Sequence, residues 1–372
     1  MYRSGFSFLK DTRHECGGCM RILVGMSGGI DSSVAALLLK EAGHEVVGVT
    51  MSIWREGNPF SGELKKNACF GPNEEEDIAE ARRISGLLGI EYHVLDCAKE
   101  YERIVLEDFR NEYLAGRTPN PCVWCNSLIK FGALPKIARQ KGIVFDKFAT
   151  GHYARISHEG GRWLLRQAAD KRKDQTYFLY RLSQEQLSEV LFPLGELRKE
   201  EARALCVKHG FFSETKEESQ DFYSGDYSDL LHTEPKRGEI VDTADTVLGY
   251  HDGYWKFTIG QRRGLGVASD RPLYVLSLDA QRNRVVVGHE EQTFKDALIA
   301  ERLNWIGVEK PELSCEVEAK IRSTGTARPA IVEALDDDMV SVRFAEAQKA
   351  VTPGQSVVFY REDVVLGGGV IR

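Results

Sequence analysis

The sequence predicts an α/β chain: a doubly wound parallel-sheet domain over residues 21–215, a small central β-rich domain over 216–288 and a C-terminal antiparallel β-barrel over 289–372, preceded by an extension of residues 1–20. Three observations carry this. Short β-branched runs alternate with amphipathic stretches through the first third of the chain, the alternation stops near Lys216, and beyond His289 apolar residues recur with the period of a strand.

The elements follow in order. Ile22, Leu23 and Val24 form a short buried strand, which Ser27, Gly28 and Gly29 break. Val34, Leu37 and Leu38, with Ala35 and Ala36 between them, then start a helix whose first turn Asp31 or Ser32 is placed to cap. Residues 46–51 read as a second strand and 73–88 as an acidic amphipathic helix with Ile78, Ala81, Ile84 and Leu88 inward. A third strand over 91–95 and a helix over 101–113 follow. In such a sheet the ligand lies at the carboxyl ends of the strands, where Ser27 falls.

With 42% hydrophobic and 28% charged residues, the composition is that of a globular protein, and no apolar run of about 18 residues is present to span a membrane. The first twenty residues carry Arg3, Lys10, Arg13 and His14 and lack the apolar core of a secretory signal, so a cytoplasmic location is expected. Eight cysteines spread over 372 residues make no secreted disulfide framework, and pairs at short spacing read as thiol or metal chemistry. The formal net charge of −7 argues against nonspecific affinity for polyanions, so any RNA contact must come from a local basic face.

A strand, a glycine turn and a helix N-terminus make an anion site. Gly28 and Gly29 let several backbone N–H groups converge on one phosphate, while Ser27, Ser32 and Ser33 add hydroxyls. No lysine follows these glycines, which excludes G-x-x-x-x-G-K-[S/T], and the spacing does not fit G-x-G-x-x-G. The run S-G-G-I-D-S resembles the PP-loop of ATP-dependent adenylating enzymes. That resemblance implies an adenine nucleotide α-hydrolase-like fold, attack on the α-phosphate and release of AMP.

Cys16-Gly-Gly-Cys19 reads as a zinc half-site, a redox pair or two incidental thiols on a tail. Cys69 and Cys97 read as ordinary buried thiols. In Arg117-Thr-Pro-Asn-Pro-Cys-Val-Trp-Cys-Asn126 two prolines set a rigid approach, and Cys125 stands just before a helix N-terminus, where the dipole lowers a thiol pKa. Cys122 and Cys125 are therefore a candidate nucleophile pair, with a structural zinc half-site and a buried apolar pair as the other readings. In Lys147-Phe-Ala-Thr-Gly-His-Tyr-Ala-Arg155, His152 alone reads as a satisfied polar residue on a turn, and Lys171-Arg172-Lys173-Asp174-Gln175-Thr176 as a solvated basic loop.

Taken together, S-G-G-I-D-S, N-P-C-V-W-C-N, A-T-G-H-Y-A-R, K-D-Q-T-Y-F-L and F-T-I-G-Q-R-R-G-L-G resemble, in order, the tRNA-specific 2-thiouridylases, over the chain from Arg21 to its end. The resemblance implies ATP and Mg2+ as cofactors, tRNA as partner, and a protein that donates persulfide or sulfide. It places Gly25, Met26, Ser27, Gly28, Gly29, Ile30, Asp31 and Ser32 with Met51 and Gly151 at the nucleotide, and Asp31 near magnesium and phosphates. Asn120, Pro121 and Cys122 fall at the target base. His152, Lys173, Asp174, Gln175, Arg322, Ser323 and Gln355 fall at tRNA, and Cys125 is the implied catalytic cysteine. The implied reaction is thiolation of the wobble uridine, position 34, at C2; the alternative is a tRNA-binding paralogue without that activity.

One departure stands out. The family usually carries a second cysteine on S-Q-D-I-C-F, which receives the sulfur or pairs with the first; here Ser219-Gln-Asp-Phe-Tyr-Ser224 places Tyr223 there, and a phenol carries no persulfide. Cys122 as partner, the Cys16/Cys19 pair, or another carrier including an iron-sulfur centre are the resolutions open, and Cys206 reads as packing.

In the second half, residues 255–266 read as a β-segment entering a glycine-rich basic turn, and 273–278 with 284–288 as a hairpin. Arg262, Arg263, Arg271, Arg282 and Arg284 offer a phosphate-backbone face or a solvated surface. Cys315, Val317, Ala319 and Ile321 alternate with charged residues, and Val340, Val342 and Phe344 repeat the pattern, which the strands over 357–360 and 364–371 close into a barrel.

Overall fold

The β-branched run after Met20 forms strand β1 (Arg21–Gly25), whose middle three residues are fully buried. In the computed structural model, which describes residues 18–55, 68–213, 221–223, 225–309, 314–336 and 338–372, the chain divides into two units. The first comprises Met1–Ile104, Cys122–Gly225 and Asp363–Val365; the second comprises Val105–Pro121, Asp226–Glu362 and Leu366–Arg372. Cys16 lies outside the described residues, and Cys19 is exposed.

The first unit is built on a parallel sheet. β1 pairs with β2 (Glu45–Ser52) on one side; after the short β3 (Ala68–Phe70), β4 (Glu91–Asp96) extends that side and β5 (Lys147–Ala149) covers the other. The hairpin of β6 (Ala154–Glu159) and β7 (Arg162–Gln167) precedes β8 (Val190–Leu191), which completes the sheet in the order β4-β2-β1-β5-β8. Helix α1 (Ile30–Glu41) buries nine of its twelve residues, because Ala35 and Ala36 leave room for close approach. It shares one core with β1, α2 (Glu74–Leu88) and the helix Lys199–Lys208, in which Cys206 is packing as the sequence suggests. The strand β9 (Asp221–Tyr223) pairs in parallel with β3.

Residues 121–140 run as one helical stretch: α-helical at Pro121–Trp124, π-helical at Cys125–Ala133 and α-helical again at Leu134–Gln140. Pro135 explains the irregularity. It has no N–H to offer the carbonyl of Phe131, and the Gln186 amide donates there instead at 3.0 Å, and to Ser127 O at 2.8 Å. The helix thus begins four residues before Cys125: proline is tolerated in a first turn, so Cys125 lies in the second turn and the expected position before the N-terminus is corrected. The helix expected over 101–113 is likewise interrupted, with a π-helical stretch Glu102–Leu106 between Ala98–Tyr101 and Glu107–Leu114.

The second unit holds a four-stranded sheet and a barrel. β10 (Gly238–Val241), β11 (Val247–His251), β12 (Tyr274–Asp279) and β13 (Arg284–Gly288) lie in the order β11-β10-β13-β12, with the expected β12–β13 hairpin. Residues 257–266 form turns rather than the expected β-segment, because Gly260, Gly264 and Gly266 take φ of 85°, 77° and 66°. Six strands make the barrel: β14 (Phe294–Trp305), β15 (Ser314–Lys320), β16 (Arg328–Ala334), β17 (Val340–Lys349), β18 (Ser356–Arg361) and β19 (Val364–Ile371). The pairing of β14 with β19 closes it, and Val317, Ala319, Val340, Val342 and Phe344 fill its interior as the alternation requires.

Residues 105–121 belong to this second unit, tied down by a buried carboxylate. Glu112 is 3% exposed and accepts from Arg117 at 2.5 and 2.7 Å and from Arg302 at 3.2 Å. Removing one member of a buried ion pair strands the others. Glu112→Gln should therefore lower the stability of this unit by about 2–4 kcal/mol, read as a lower urea midpoint of its unfolding transition; an unchanged midpoint would show the pair to be dispensable.

Candidate active site

The turn after β1 is shaped by what a side chain would hit. Gly28 has φ +70°, and a Cβ there would stand 2.5 Å from the carbonyl oxygen of Asp77, so only glycine fits on two counts. Met26 N donates to Val49 O at 2.8 Å and Thr50 Oγ1 to Met26 O at 2.6 Å, anchoring the loop to the sheet beside Met51 at the end of β2. Ser32 Oγ accepts from Ser27 N at 3.1 Å and lies 3.2 Å from Ser27 Oγ, which draws the loop into a ring. The N-cap of α1 is Gly29, without a side-chain cap; the expected capping by Asp31 or Ser32 is corrected, because both sit inside the first turn. The amides of Ile30 and its neighbours therefore converge at a positive helix end, which suits an anion. Gly151 closes one wall: a Cβ there would lie 2.6 Å from Asp31 C and Ser32 N.

Asp31 turns away from capping because it is held elsewhere. Lys199 Nζ donates to its two oxygens at 2.7 and 2.8 Å, and Tyr153 Oη donates at 2.9 Å. The lysine missing from the loop motif thus arrives 168 positions later, on the first turn of another helix and nearly buried. Sequence reasoning missed it; the only available signal was a basic residue opening a helix, which the macrodipole disfavours. Gln175 supports the same arrangement by accepting from Tyr153 N at 2.9 Å.

A second cluster lies on the helical stretch of Cys122 and Cys125. Both residues are partly exposed, and burial pushes each thiol upward, Cys125 to about 12. The lowered pKa expected from a helix N-terminus is corrected, since desolvation outweighs the dipole at the second turn. Lys130 opposes the shift at Cys69, Cys122 and Cys125. It stands five residues after Cys125 in the π-helical segment, where a turn of i→i+5 bonding sets such residues one above the other. Sequence reasoning missed Lys130 too, having read a regular helix. Cys97 is fully buried, as expected, but Cys69 is exposed, contrary to expectation, because it stands on the short β3 rather than in the core.

His152 lies in contact with Phe131 and Phe192, and its Nδ1 is 2.7 Å from Thr150 Oγ1. Burial, then Lys130, holds its pKa well below the usual range, so it is neutral at physiological pH. Asp174 points inward, accepting from Ala168 N at 3.0 Å and Thr176 Oγ1 at 2.7 Å, while Lys173 is exposed. In the second unit, Gln355 Nε2 donates to Thr118 O at 2.9 Å and Pro119 O at 3.1 Å, fixing the approach to Asn120 and Pro121. Arg322 donates to Ala350 O at 2.5 Å, next to the partly exposed Ser323. Of the five arginines, Arg271, Arg282 and Arg284 pair with Glu291, Asp279 and Glu239, while Arg262 and Arg263 are exposed.

A parallel sheet whose first strand ends in S-G-G-I-D-S, with its glycines forced by sterics, defines a PP-loop nucleotide-binding protein. The family model described as tRNA methyl transferase HUP domain matches residues 20–223, the tRNA methyl transferase PRC-barrel domain matches 230–289 and the aminomethyltransferase beta-barrel domain matches 295–371. The tRNA-specific 2-thiouridylase MnmA of Endomicrobium trichonymphae is 48% identical over 95% of this chain and 99% of its own. MnmA 1 of Caldanaerobacter subterraneus subsp. tengcongensis is 45% identical over 95% and 98%, and MnmA of Geotalea uraniireducens 46% over 95% and 95%. The chain belongs to the tRNA-specific 2-thiouridylase family.

Two measurements probe these clusters. Lys199→Met leaves Asp31 without its buried cation, and urea denaturation should show a loss of about 2–3 kcal/mol; no loss would mean that the loop is held by Tyr153 and the backbone alone. Alkylation of Cys125 by iodoacetamide, followed by peptide mass spectrometry, should rise about tenfold per unit from roughly pH 7 to 10 without a plateau. Because Lys130 lowers the thiol pKa, Lys130→Met should be slower across that range, and equal rates would separate Lys130 from the thiol.

Proposed function

We propose that this chain is an ATP-dependent tRNA-uridine 2-sulfurtransferase that thiolates the wobble uridine, position 34, at C2. The observation that carries the reading is one unit holding both a PP-loop with sterically forced glycines and a cysteine pair beside a lysine, in a chain of the 2-thiouridylase family.

The loop residues suit a nucleotide: the start of α1, which has no side-chain cap, offers its amides to a phosphate, and the backbone packed against Gly28 and Gly151 fixes the loop that presents them. When bound, ATP supplies the adenylyl group that makes the C2 oxygen of uracil a leaving group, pyrophosphate departing first and AMP on sulfur transfer. Gly25 to Ser32 then stabilise phosphate charge with preorganised donors. Among the described residues no group of three His, Cys, Asp or Glu is set to hold a metal. Magnesium would be held chiefly by the phosphates of ATP and would bind Asp31 only where that carboxylate shares an oxygen with Lys199 and Tyr153. Cys125 holds the sulfur to be transferred, Lys130 stabilises its thiolate, and Asn120, Pro121 and Cys122 receive the base, displayed out of its stack. His152, Lys173 to Gln175, Arg322, Ser323 and Gln355 hold tRNA directly or by bracing the loops that do. A persulfide- or sulfide-bearing protein donates the sulfur. No helix of the described residues is long and apolar enough to cross a membrane, in keeping with a cytoplasmic enzyme.

Tyr223 at the second-cysteine position favours one other reading, a tRNA-binding paralogue without thiolation. Protein mixed with Mg2+, ATP, sulfide and unmodified tRNA should yield 2-thiouridine by mass spectrometry of the digested RNA. Cys125→Ser should abolish the product while tRNA binding persists. Asp31→Asn should slow it by about 100-fold or more. Wild-type protein that binds tRNA and forms no product would leave the paralogue.

A further inference from the structure

The strand that neighbours Tyr223 carries a thiol. β3 pairs in parallel with β9, Ala68 opposite Asp221 and Phe70 opposite Tyr223, so Cys69 lies beside the stretch that carries Tyr223. The Cys69 thiol donates to the carbonyl of Phe222 at 3.7 Å. Tyr223 itself is 4% exposed and packs with tilted rings against Phe70 and Phe222. Cys69 is also an electrostatic neighbour of both Cys122 and Cys125, and Phe70 beside it stacks on Tyr101 at 5.2 Å, which feels the charge of all three thiols. The other described cysteines of this unit fit less well, since Cys97 and Cys206 are buried in the core and Cys19 shares none of these neighbours.

Resting on the reading above, we propose that Cys69 is the resolving cysteine of the sulfur transfer, attacking Cys125 once sulfur has reached the uridine. The terminal sulfur of a Cys125 persulfide bonds to C2 as the C2–O bond to the adenylyl oxygen breaks, and AMP leaves with that electron pair. This leaves Cys125 joined to C2 through two sulfurs. The Cys69 thiolate then attacks Sγ of Cys125 and the S–S bond breaks. Its electron pair stays on the sulfur at C2 as 2-thiouridine, and Cys69 and Cys125 are oxidised to a disulfide. A dithiol reductant restores both thiols. That last step needs a disulfide that a reductant can reach, and Cys69 is the most exposed residue of the three. This distinguishes it from Cys122, which shares one helical stretch with Cys125.

The test separates this assignment from the enzyme reading itself. Wild-type protein treated with diamide and digested without reduction should show a Cys69–Cys125 linked peptide, whether or not tRNA is thiolated. A Cys122–Cys125 link alone would overturn the proposal. With persulfide-loaded protein, ATP and tRNA in the absence of added thiol, Cys69→Ser should lose release of 2-thiouridine and accumulate a protein–tRNA adduct that dithiothreitol cleaves; release at the wild-type level would overturn it. Iron bound stoichiometrically by anaerobically purified wild type and lost in Cys69→Ser would overturn it as well, by making the three thiols a metal site.

Discussion

The first unit turns on a carboxylate that is kept from capping its own helix. Asp31 sits in the first turn of α1, and the ammonium of Lys199 grips both its oxygens. A lysine opening a helix is electrostatically misplaced, and its near-complete burial there is tolerable only with Asp31 as partner. The pair thereby ties the glycine loop, through Tyr153 and Gln175, to segments far along the chain. A loop of two glycines, otherwise the most permissive backbone available, is left with one conformation.

The cysteine pair obeys the opposite electrostatics. Burial keeps its thiols protonated, and Lys130 is the cation set against that burial. The register that aligns Lys130 with Cys125 is π-helical, and π-helical geometry survives because Gln186 serves the carbonyl of Phe131, which Pro135 cannot, and that of Ser127 as well. A proline in the middle of a helix, usually a defect of about 3 kcal/mol, here sets the alignment of a cation with a nucleophile.

Much of this was legible in the sequence. The alternation of β1, α1, β2, α2 and β4 and the strand period of the barrel were readable because each element buries one face and shows it in its periodicity. The glycine loop was readable because its residue types admit few conformations. What escaped notice depends on distant pairing. Lys199 meets Asp31 across 168 positions, Lys130 follows Cys125 in a π-helical turn, and Cys69 reads as an ordinary buried thiol in a sequence that does not display its pairing with β9. The start of the helix at Pro121 is hidden in the sequence because a proline that reads as setting a rigid approach also fits the first turn of a helix.

The interleaving of the two units has a consequence for synthesis. Residues 105–121 belong to a unit whose barrel is closed by β19, and Asp363–Val365 belong to the other unit, where Asp363 receives Arg155 and Arg166. Neither unit is complete until residues 363–371 have been made. A nascent chain of this protein cannot finish one unit and then the next, in the order in which separate domains fold. Arg155 and Arg166 wait for Asp363 while the barrel waits for the pairing of β19 with β14, so loss of that one stretch would damage both units at once.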